Sequence, residues 1–150
     1  METLVAWSQF STFYTAVSVA GLADALNSTG PFTVFVPNNE AFDKIPSKIL
    51  SSYGNPKSIG QFKDMVSRHI VPNVTLGKDE YYSLCGEVEQ TNYGIELETI
   101  GGATILAVKG DAIWPHNTRI QSLVGKAYVT TDWSKWCVRN GCIYLIDNVV

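Results

Sequence analysis

Residues 30–42 have the sequence GPFTVFVPNNEAF, with Ile45-Pro46 shortly after, and this stretch decides the fold. Its first half, Phe32–Val36, is an almost wholly apolar run closed by a proline, which predicts a short buried strand. Its second half predicts a helix, because either of the two following asparagines can accept the free N–H groups of a first helical turn. Glu40 falls in that turn, where its charge complements the helix dipole.

Upstream, residues 3–23 carry no charge, which invites comparison with a membrane span or a signal peptide. Seven serine, threonine and glutamine residues interrupt the apolar ones, and Glu2 replaces the positive start of a signal peptide. Neither comparison therefore holds, and any export signal is expected outside this chain. Apolar positions at steps of three and four predict an opening helix instead, followed by a short helix over 22–26. They are Leu4, Trp7, Phe10, Phe13 or Tyr14, and Val17.

The middle of the chain predicts a further helix that starts near Pro56, a residue suited to a first helical turn. Val71-Pro72 ends it. Its apolar face leads to His69, and it is formed by Ile59, Phe62, Met65 and Val66.

From about residue 74 the chain predicts strands joined by turns. Three apolar or β-branched residues alternate with glutamates over 95–99, and Gly101-Gly102 supply a two-residue turn into a strand over 103–108, so a β-hairpin is expected. Helices first and antiparallel strands later indicate an α+β domain. Further strand candidates are 112–114, 126–131 and 142–150, the last two separated by a loop with Asn140-Gly141.

The composition is that of one globular domain over residues 1–150, with 45% hydrophobic and 17% charged residues. The net charge is −3, and no two basic residues are adjacent. Nucleic acid is therefore excluded as a main partner, because phosphate binding needs a basic patch.

Three segments in order resemble the motifs of the fasciclin domain family. Residues 30–46 resemble its first motif, His69-Ile70-Val71-Pro72 its histidine motif, and residues 140–150 its closing motif of a turn, a strand and an Ile-Asp pair. The resemblance implies two packed β-sheets with several helices against one side. It gives His69 and Asp147 structural roles. One departure is Tyr144, which stands where many relatives carry histidine.

His69 is the candidate for chemistry, because an imidazole among apolar helix positions can act as a base or a ligand. A structural role is favoured, since a buried imidazole can satisfy both nitrogens with backbone groups and no partner carboxylate or nucleophile can be identified. No nucleophile elbow, phosphate loop or His-Glu-x-x-His motif occurs, and His116 lies far away in sequence. The chain is therefore expected to be no enzyme and to need no cofactor or metal.

The three cysteines, Cys85, Cys137 and Cys142, leave at least one free thiol and are not spaced as a zinc site. Cys137 and Cys142 could close a small loop, or either could pair with Cys85. We predict the Cys137–Cys142 pair, because a turn of this length can bring two α-carbons within the roughly 4.4–6.8 Å that a disulfide requires.

Sequons at Asn27 and Asn73 are candidate glycosylation sites and favour a secretory route.

Two segments are candidates for partner contacts. Lys109-Gly110-Asp111 resembles a short integrin-binding tripeptide at a turn, although the same residues are common in plain turns. Trp133 and Trp136 lie three apart among polar neighbours, which suits an exposed aromatic patch.

The leading hypothesis is an extracellular module for cell adhesion or protein interaction, without catalytic activity. The family resemblance implies secreted or membrane-anchored parent proteins with several such copies. This chain is then a domain of something larger or a short mature protein, with a surface receptor, a matrix protein or a sister fasciclin domain as partner. No transmembrane segment is expected in it. The alternative is a carrier of an elongated apolar ligand such as a carotenoid, which some algal members of the family bind.

Overall fold

The computed structural model describes residues 8–52, 55–76, 95–108, 119–122, 125–130 and 137–150. Within these ranges all helices and two strands lie in the first half of the chain and the other strands in the second, which confirms the predicted α+β class. The side chain of Asn38 caps the third helix by accepting the Ala41 N–H at 2.7 Å. The described helices are α1 (Ser11–Val19), α2 (Ala23–Asn27), α3 (Asn39–Asp43), α4 (Ser47–Ser52) and α5 (Ile59–Ser67), with 3₁₀ turns at Ser8–Phe10 and Pro56–Ser58.

The described strands form two four-stranded sheets. In chain order they are β1 (Phe32–Pro37), β2 (Ile70–Pro72), β3 (Ile95–Glu98), β4 (Thr104–Val108), β5 (Arg119–Gln121), β6 (Lys126–Tyr128), β7 (Cys137–Val138) and β8 (Gly141–Ile146). Sheet A has the order β2-β1-β8-β7, and β1 pairs antiparallel with β2 but parallel with β8. Sheet B has the order β3-β4-β5-β6 and is antiparallel throughout. A bridge between Val129 and Ile146 links the two sheets.

Sheet A is the middle layer, between the helices and sheet B. Alternate residues of a strand face opposite sides, and β1 is buried on both: Val34 and Val36 pack in the helix-side core, whereas Phe35 packs in the inter-sheet core. Tyr144 is also fully buried in the inter-sheet core, with its ring centroid 5.8 Å from that of Phe35. The predicted arrangement of two packed sheets with helices against one side is confirmed.

Two glycines allow the parallel pair β1–β8 to form. A Cβ at Gly141 would collide with the backbone carbonyl oxygen of Phe32, and one at Gly30 would collide with that of Asn140. The Asn140 amide donates to the Leu26 carbonyl oxygen at 2.9 Å, so the turn before β8 is also fastened to the end of α2.

Helix α4 and strand β2 were not predicted. Helix α4 has no buried residue, so it shows no apolar periodicity that could announce it. The segment after the middle helix was expected only to end that helix, but Ile70–Pro72 pairs with β1. Strands β5 and β7, of three and two residues, were also missed, because runs this short carry no alternation.

Three further expectations were wrong in detail. Ile59 was placed on the buried face of the middle helix, but it is 44% exposed because the first turn extends past the core. The turn at Gly101-Gly102 has three residues, since the Thr99 N–H donates to the Ala103 carbonyl oxygen at 2.9 Å. Gly102 adopts a φ of +77°, a conformation that glycine tolerates. The strand expected over 142–150 ends at Ile146.

Candidate functional site

His69 lies directly after α5 and is fully buried, as predicted. Its Nε2 atom accepts the Val150 N–H at 3.2 Å, so the proton sits on Nδ1, which donates to the Met65 carbonyl oxygen at 2.8 Å. The ring meets Phe13 edge-on, with centroids 5.8 Å apart. Both ring nitrogens are therefore engaged by backbone groups, which leaves neither for a substrate.

The environment keeps this imidazole neutral. Burial lowers the pKa of His69 from 6.5 to about 4; the hydrogen bond to Met65 opposes that shift, and the positive charge of Arg68 adds to it. At neutral pH the side chain is thus an uncharged link between α5 and the Val150 backbone.

Asp147 lies where the two sheets meet. Its Oδ1 atom accepts the Tyr128 N–H at 2.7 Å, and its own N–H donates to the Tyr128 carbonyl oxygen at 3.2 Å. The neighbouring Asn148 amide donates to the Lys126 carbonyl oxygen at 3.0 Å. These bonds occupy backbone groups of β6, the outer strand of sheet B, and join it to the segment after β8.

Cys137 and Cys142 are joined by a disulfide, with α-carbons 4.0 Å apart, slightly closer than the roughly 4.4–6.8 Å expected. They are direct partners across the antiparallel pair β7–β8. Cys142 is buried in the inter-sheet core, whereas Cys137 is exposed. The bond therefore holds the short edge strand β7 against the centre of the fold.

The two sequon asparagines are both exposed. Asn27 is the last residue of α2, and Asn73 follows β2 with a φ of +63°. An exposed side chain in a turn or at a helix end is accessible to a glycosylating enzyme.

The remaining candidate residues lie outside the described ranges. They are the Lys109-Gly110-Asp111 tripeptide, Trp133, Trp136, Cys85 and His116, together with Trp7 of the opening helix and the strand expected over 112–114.

An uncharged groove of about 440 Å³ lies between the helices, and the sequence did not point to it. Phe42 and Phe62, both nearly buried, belong to its lining, and the exposed side chains of Val19 and Leu50 border it. The sequence feature that could have revealed the groove is the adjacent apolar pair Ile49-Leu50. Helix α4, which contains this pair, buries none of its residues. The remaining lining residues are Ser11, Thr12, Thr15 and Ala16.

In the part of the chain that the structure describes, no three His, Cys, Asp or Glu side chains are grouped as a metal site. None of the described helices has the length and apolar character that crossing a bilayer would require.

Comparison with known proteins finds relatives that match most of this chain. Protein sll1483 of Synechocystis sp. is 32% identical over 107 residues, which covers 69% of this chain and 59% of that protein. Protein sll1735 of the same organism is 31% identical over 150 residues, which covers 100% of this chain and 95% of that protein. The transforming growth factor-beta-induced protein ig-h3 of Sus scrofa is 28% identical over 143 residues, 94% of this chain but only 17% of that protein.

The fold has a solved counterpart in a FAS1 domain pair from the insect cell adhesion molecule Fasciclin I. The TM-score is 0.70 at 19% identity, and the match covers 95% of this chain and 45% of that one. A model of the fasciclin domain matches residues 8–150, nearly the whole sequence. The chain therefore belongs to the fasciclin domain family.

Proposed function

We propose that residues 1–150 form one extracellular domain that acts as an adhesion or protein-interaction module without catalytic activity. The main support is membership of the fasciclin domain family over residues 8–150. The solved domain pair with the same fold comes from an insect cell adhesion molecule. The proposed partner is a surface receptor, a matrix protein or a sister fasciclin domain.

The surroundings of His69 support the non-catalytic part of the proposal. A general base needs a free nitrogen near the reacting proton, but both nitrogens of His69 bind backbone groups in a fully buried position. The low pKa of about 4 follows from this burial. His69 and Asp147 are proposed to serve stability.

A single domain should bind its partner only weakly through its surface loops. The chain spans 17% of ig-h3 and 45% of the Fasciclin I domain pair, so these two proteins present the unit within longer chains, whereas sll1735 is covered to 95%. Several weak contacts made by domains of one chain give strong overall binding, because one bound domain raises the effective concentration of the next. We propose that the parent protein of this domain also binds through several linked domains.

Attachment of cells or matrix to the immobilised domain tests the proposal. Alanine at Asp111, Trp133 and Trp136 should reduce attachment and leave the thermal midpoint unchanged, because these residues are proposed to touch the partner. Tyr128→Ala, which removes an aromatic side chain that is 46% exposed, is the matched control and should attach normally. Normal attachment by the triple variant would overturn the assignment of these contacts.

Asn27 and Asn73 are proposed to carry N-linked glycans, which their exposure permits. Secreted protein should lose mass on deglycosylation, and Asn27→Gln with Asn73→Gln should abolish that loss. An unchanged mass for the secreted wild type would contradict this proposal.

A carrier of an apolar ligand is the second candidate, and the uncharged helical groove favours it. Its volume of about 440 Å³ lies within the usual range for ligand pockets, and two aromatic side chains help to line it. Protein from the native source should then show a bound pigment in its visible spectrum, and Thr15→Phe, at an exposed lining position, should fill the groove and exclude the ligand. Colourless protein that extracts with no stoichiometric apolar compound would remove this candidate.

A further inference from the structure

Exposed aliphatic side chains concentrate on one part of the helical layer. Among the described residues, four of the six large hydrophobic side chains that are strongly exposed belong to α1, α4 and α5. Helix α4 buries none of its residues, so its two aliphatic side chains are exposed to solvent and are not part of the core. The four are Val19 at 55%, Ile49 at 45%, Leu50 at 41% and Ile59 at 44% exposed.

Two of these side chains line the groove, and the other two are near its lining residues in the sequence. Val19 and Leu50 border it, and Phe62 of α5 belongs to its lining. Ile59 precedes Phe62 by three positions, and Lys63 follows Ile59 by four, so all three share one side of α5. The groove and its apolar border therefore form one continuous surface.

The charge of this region is opposite to that of the rest of the chain. Residues 44–63 contain four of the eleven lysine and arginine residues and none of the fourteen acidic ones, although the exposed Asp43 and Asp64 adjoin this stretch. The remainder of the sequence is therefore strongly acidic. Lys48, Lys57 and Lys63 are all exposed and lie within four residues of Ile49 or Ile59 in the sequence.

We propose that this basic apolar surface, formed by Val19, Ile49, Leu50, Ile59 and the three lysines, docks on an anionic lipid bilayer. Aliphatic side chains that enter the headgroup region, flanked by lysines that meet lipid phosphates, are the features of interfacial binding. The lysines argue against a protein partner, because protein interfaces are depleted in lysine and enriched in arginine, and residues 44–63 contain no arginine. The proposal goes beyond loop-mediated adhesion and rests on different residues.

Co-sedimentation with vesicles of phosphatidylcholine containing about 30% phosphatidylglycerol tests the proposal against vesicles of pure phosphatidylcholine. The wild type should partition onto the anionic vesicles and only weakly onto neutral ones. Raising the salt from about 0.1 M to about 1 M shortens the screening length from roughly 10 Å to roughly 3 Å, and it should weaken the binding.

Matched pairs of variants separate the surface from general effects of charge and hydrophobicity. The double change Lys48→Gln with Lys63→Gln should lower the partition coefficient roughly twenty-five-fold, since each lysine near an anionic surface contributes a factor of about five. Lys126→Gln with Arg139→Gln removes the same charge from exposed positions elsewhere and should stay within about two-fold of the wild type.

A second pair of variants tests the hydrophobic side chains. Ile49→Gln with Ile59→Gln should also reduce vesicle binding. Tyr128→Gln with Val138→Gln removes the other two exposed hydrophobic side chains of the described residues and should leave vesicle binding unchanged.

Three results would overturn the proposal. One is a wild type that ignores anionic vesicles, and another is equal loss of binding in the control pairs. The third is self-association of the protein that Lys48→Gln with Lys63→Gln abolishes while no vesicle binding is seen, because that would identify a second copy as the occupant. Circular dichroism melting of each variant shows that the change acts on binding rather than on folding. Cell attachment through the loop residues would be unaffected by any of these outcomes.

Discussion

At the scale of single residues, His69 connects parts of the fold that are distant in sequence. Its ring joins the Met65 carbonyl oxygen to the Val150 N–H, and its own carbonyl oxygen accepts the Phe35 N–H of β1 at 2.8 Å. Each of these backbone groups is in the interior, where an unmet hydrogen bond is costly. The residue therefore links α5, sheet A and the segment after β8 through hydrogen bonds.

Replacement of His69 by alanine should lower the free energy of unfolding by about 1–3 kcal/mol, because the Met65 and Val150 backbone groups lose their partner. The thermal midpoint should fall accordingly. Lys63→Ala, an exposed change on the same helix, should stay within about 0.5 kcal/mol of the wild type. A His69→Ala protein as stable as the wild type would refute the structural role.

Stability should also depend on pH through His69. The pKa is about 4 in the folded protein against 6.5 as the ordinary value, so the unfolded chain binds this proton more readily. The contribution is fully present above pH 6.5 and is lost as the pH falls toward 4, by roughly 3 kcal/mol in total. Urea unfolding of the wild type and of His69→Gln, compared across this range, isolates the effect. A stability difference between the two proteins that stays constant with pH would contradict it.

At the scale of elements, the parallel contact between β1 and β8 depends on close backbone approach at its start. Phe32 is the register partner of Gly141, and the Phe32 N–H donates to the Asn140 carbonyl oxygen at 2.9 Å. A side chain at position 141 has no room there, because the space is filled by the backbone of the neighbouring strand.

Gly141→Ala should destabilise the protein by about 1–3 kcal/mol or more, as expected when extra atoms are forced into a packed position. Gly60→Ala is the matched control, since Gly60 lies on the exposed face of α5 with no atom near its added methyl group. That control should gain about 0.5–1 kcal/mol from helix propensity. Equal effects of the two substitutions in chemical denaturation would show that the close approach does not matter.

The disulfide offers a second test at this scale. Peptide mapping without reduction should recover Cys137 linked to Cys142, with Cys85 as a free thiol. Reduction, or serine at both positions, should lower stability by about 2 kcal/mol, because the bond closes only a short loop in the unfolded chain. Recovery of a peptide that links Cys85 to either partner would overturn this pairing.

Strong local patterns made several elements predictable. The apolar run of β1 and the capping asparagine of α3 were visible in the sequence, and so were the alternating residues of the β3–β4 hairpin. Strand β2 was not, because three residues show no alternation and become a strand only by pairing with β1. The candidate site also has one feature that was predictable and one that was not. The burial of His69 was predicted from its apolar helix face. Its hydrogen bond to Val150 was not, because that bond depends on tertiary packing.

At the scale of the whole molecule, sheet A separates two cores that share its strands. Ile143 packs in the helix-side core and Ile146 in the inter-sheet core, although both belong to β8. Because one strand contributes to both layers, loss of packing on one side should be transmitted to the other. We therefore expect the described layers to unfold together.

Ile143→Ala and Ile146→Ala should each destabilise the protein by about 2–5 kcal/mol, as is usual for buried isoleucine. Both variants should unfold in one cooperative transition with an unchanged denaturant dependence. Urea unfolding followed by tryptophan fluorescence and by circular dichroism checks this. Two separate transitions, with each variant moving only one of them, would show that the layers are independent and that the chain is not one domain.

The parallel pairing of β1 with β8 also determines when a newly made polypeptide can fold. Strand β1 leaves the ribosome early, but its partner β8 follows only after most of the chain has been synthesised. Until then the apolar edge of β1 that later meets β8 is open, and an unpaired strand edge of this kind favours aggregation. Folding dominated by such non-local pairing is also slow. We therefore expect β1 to acquire its complete set of partners only when translation nears completion.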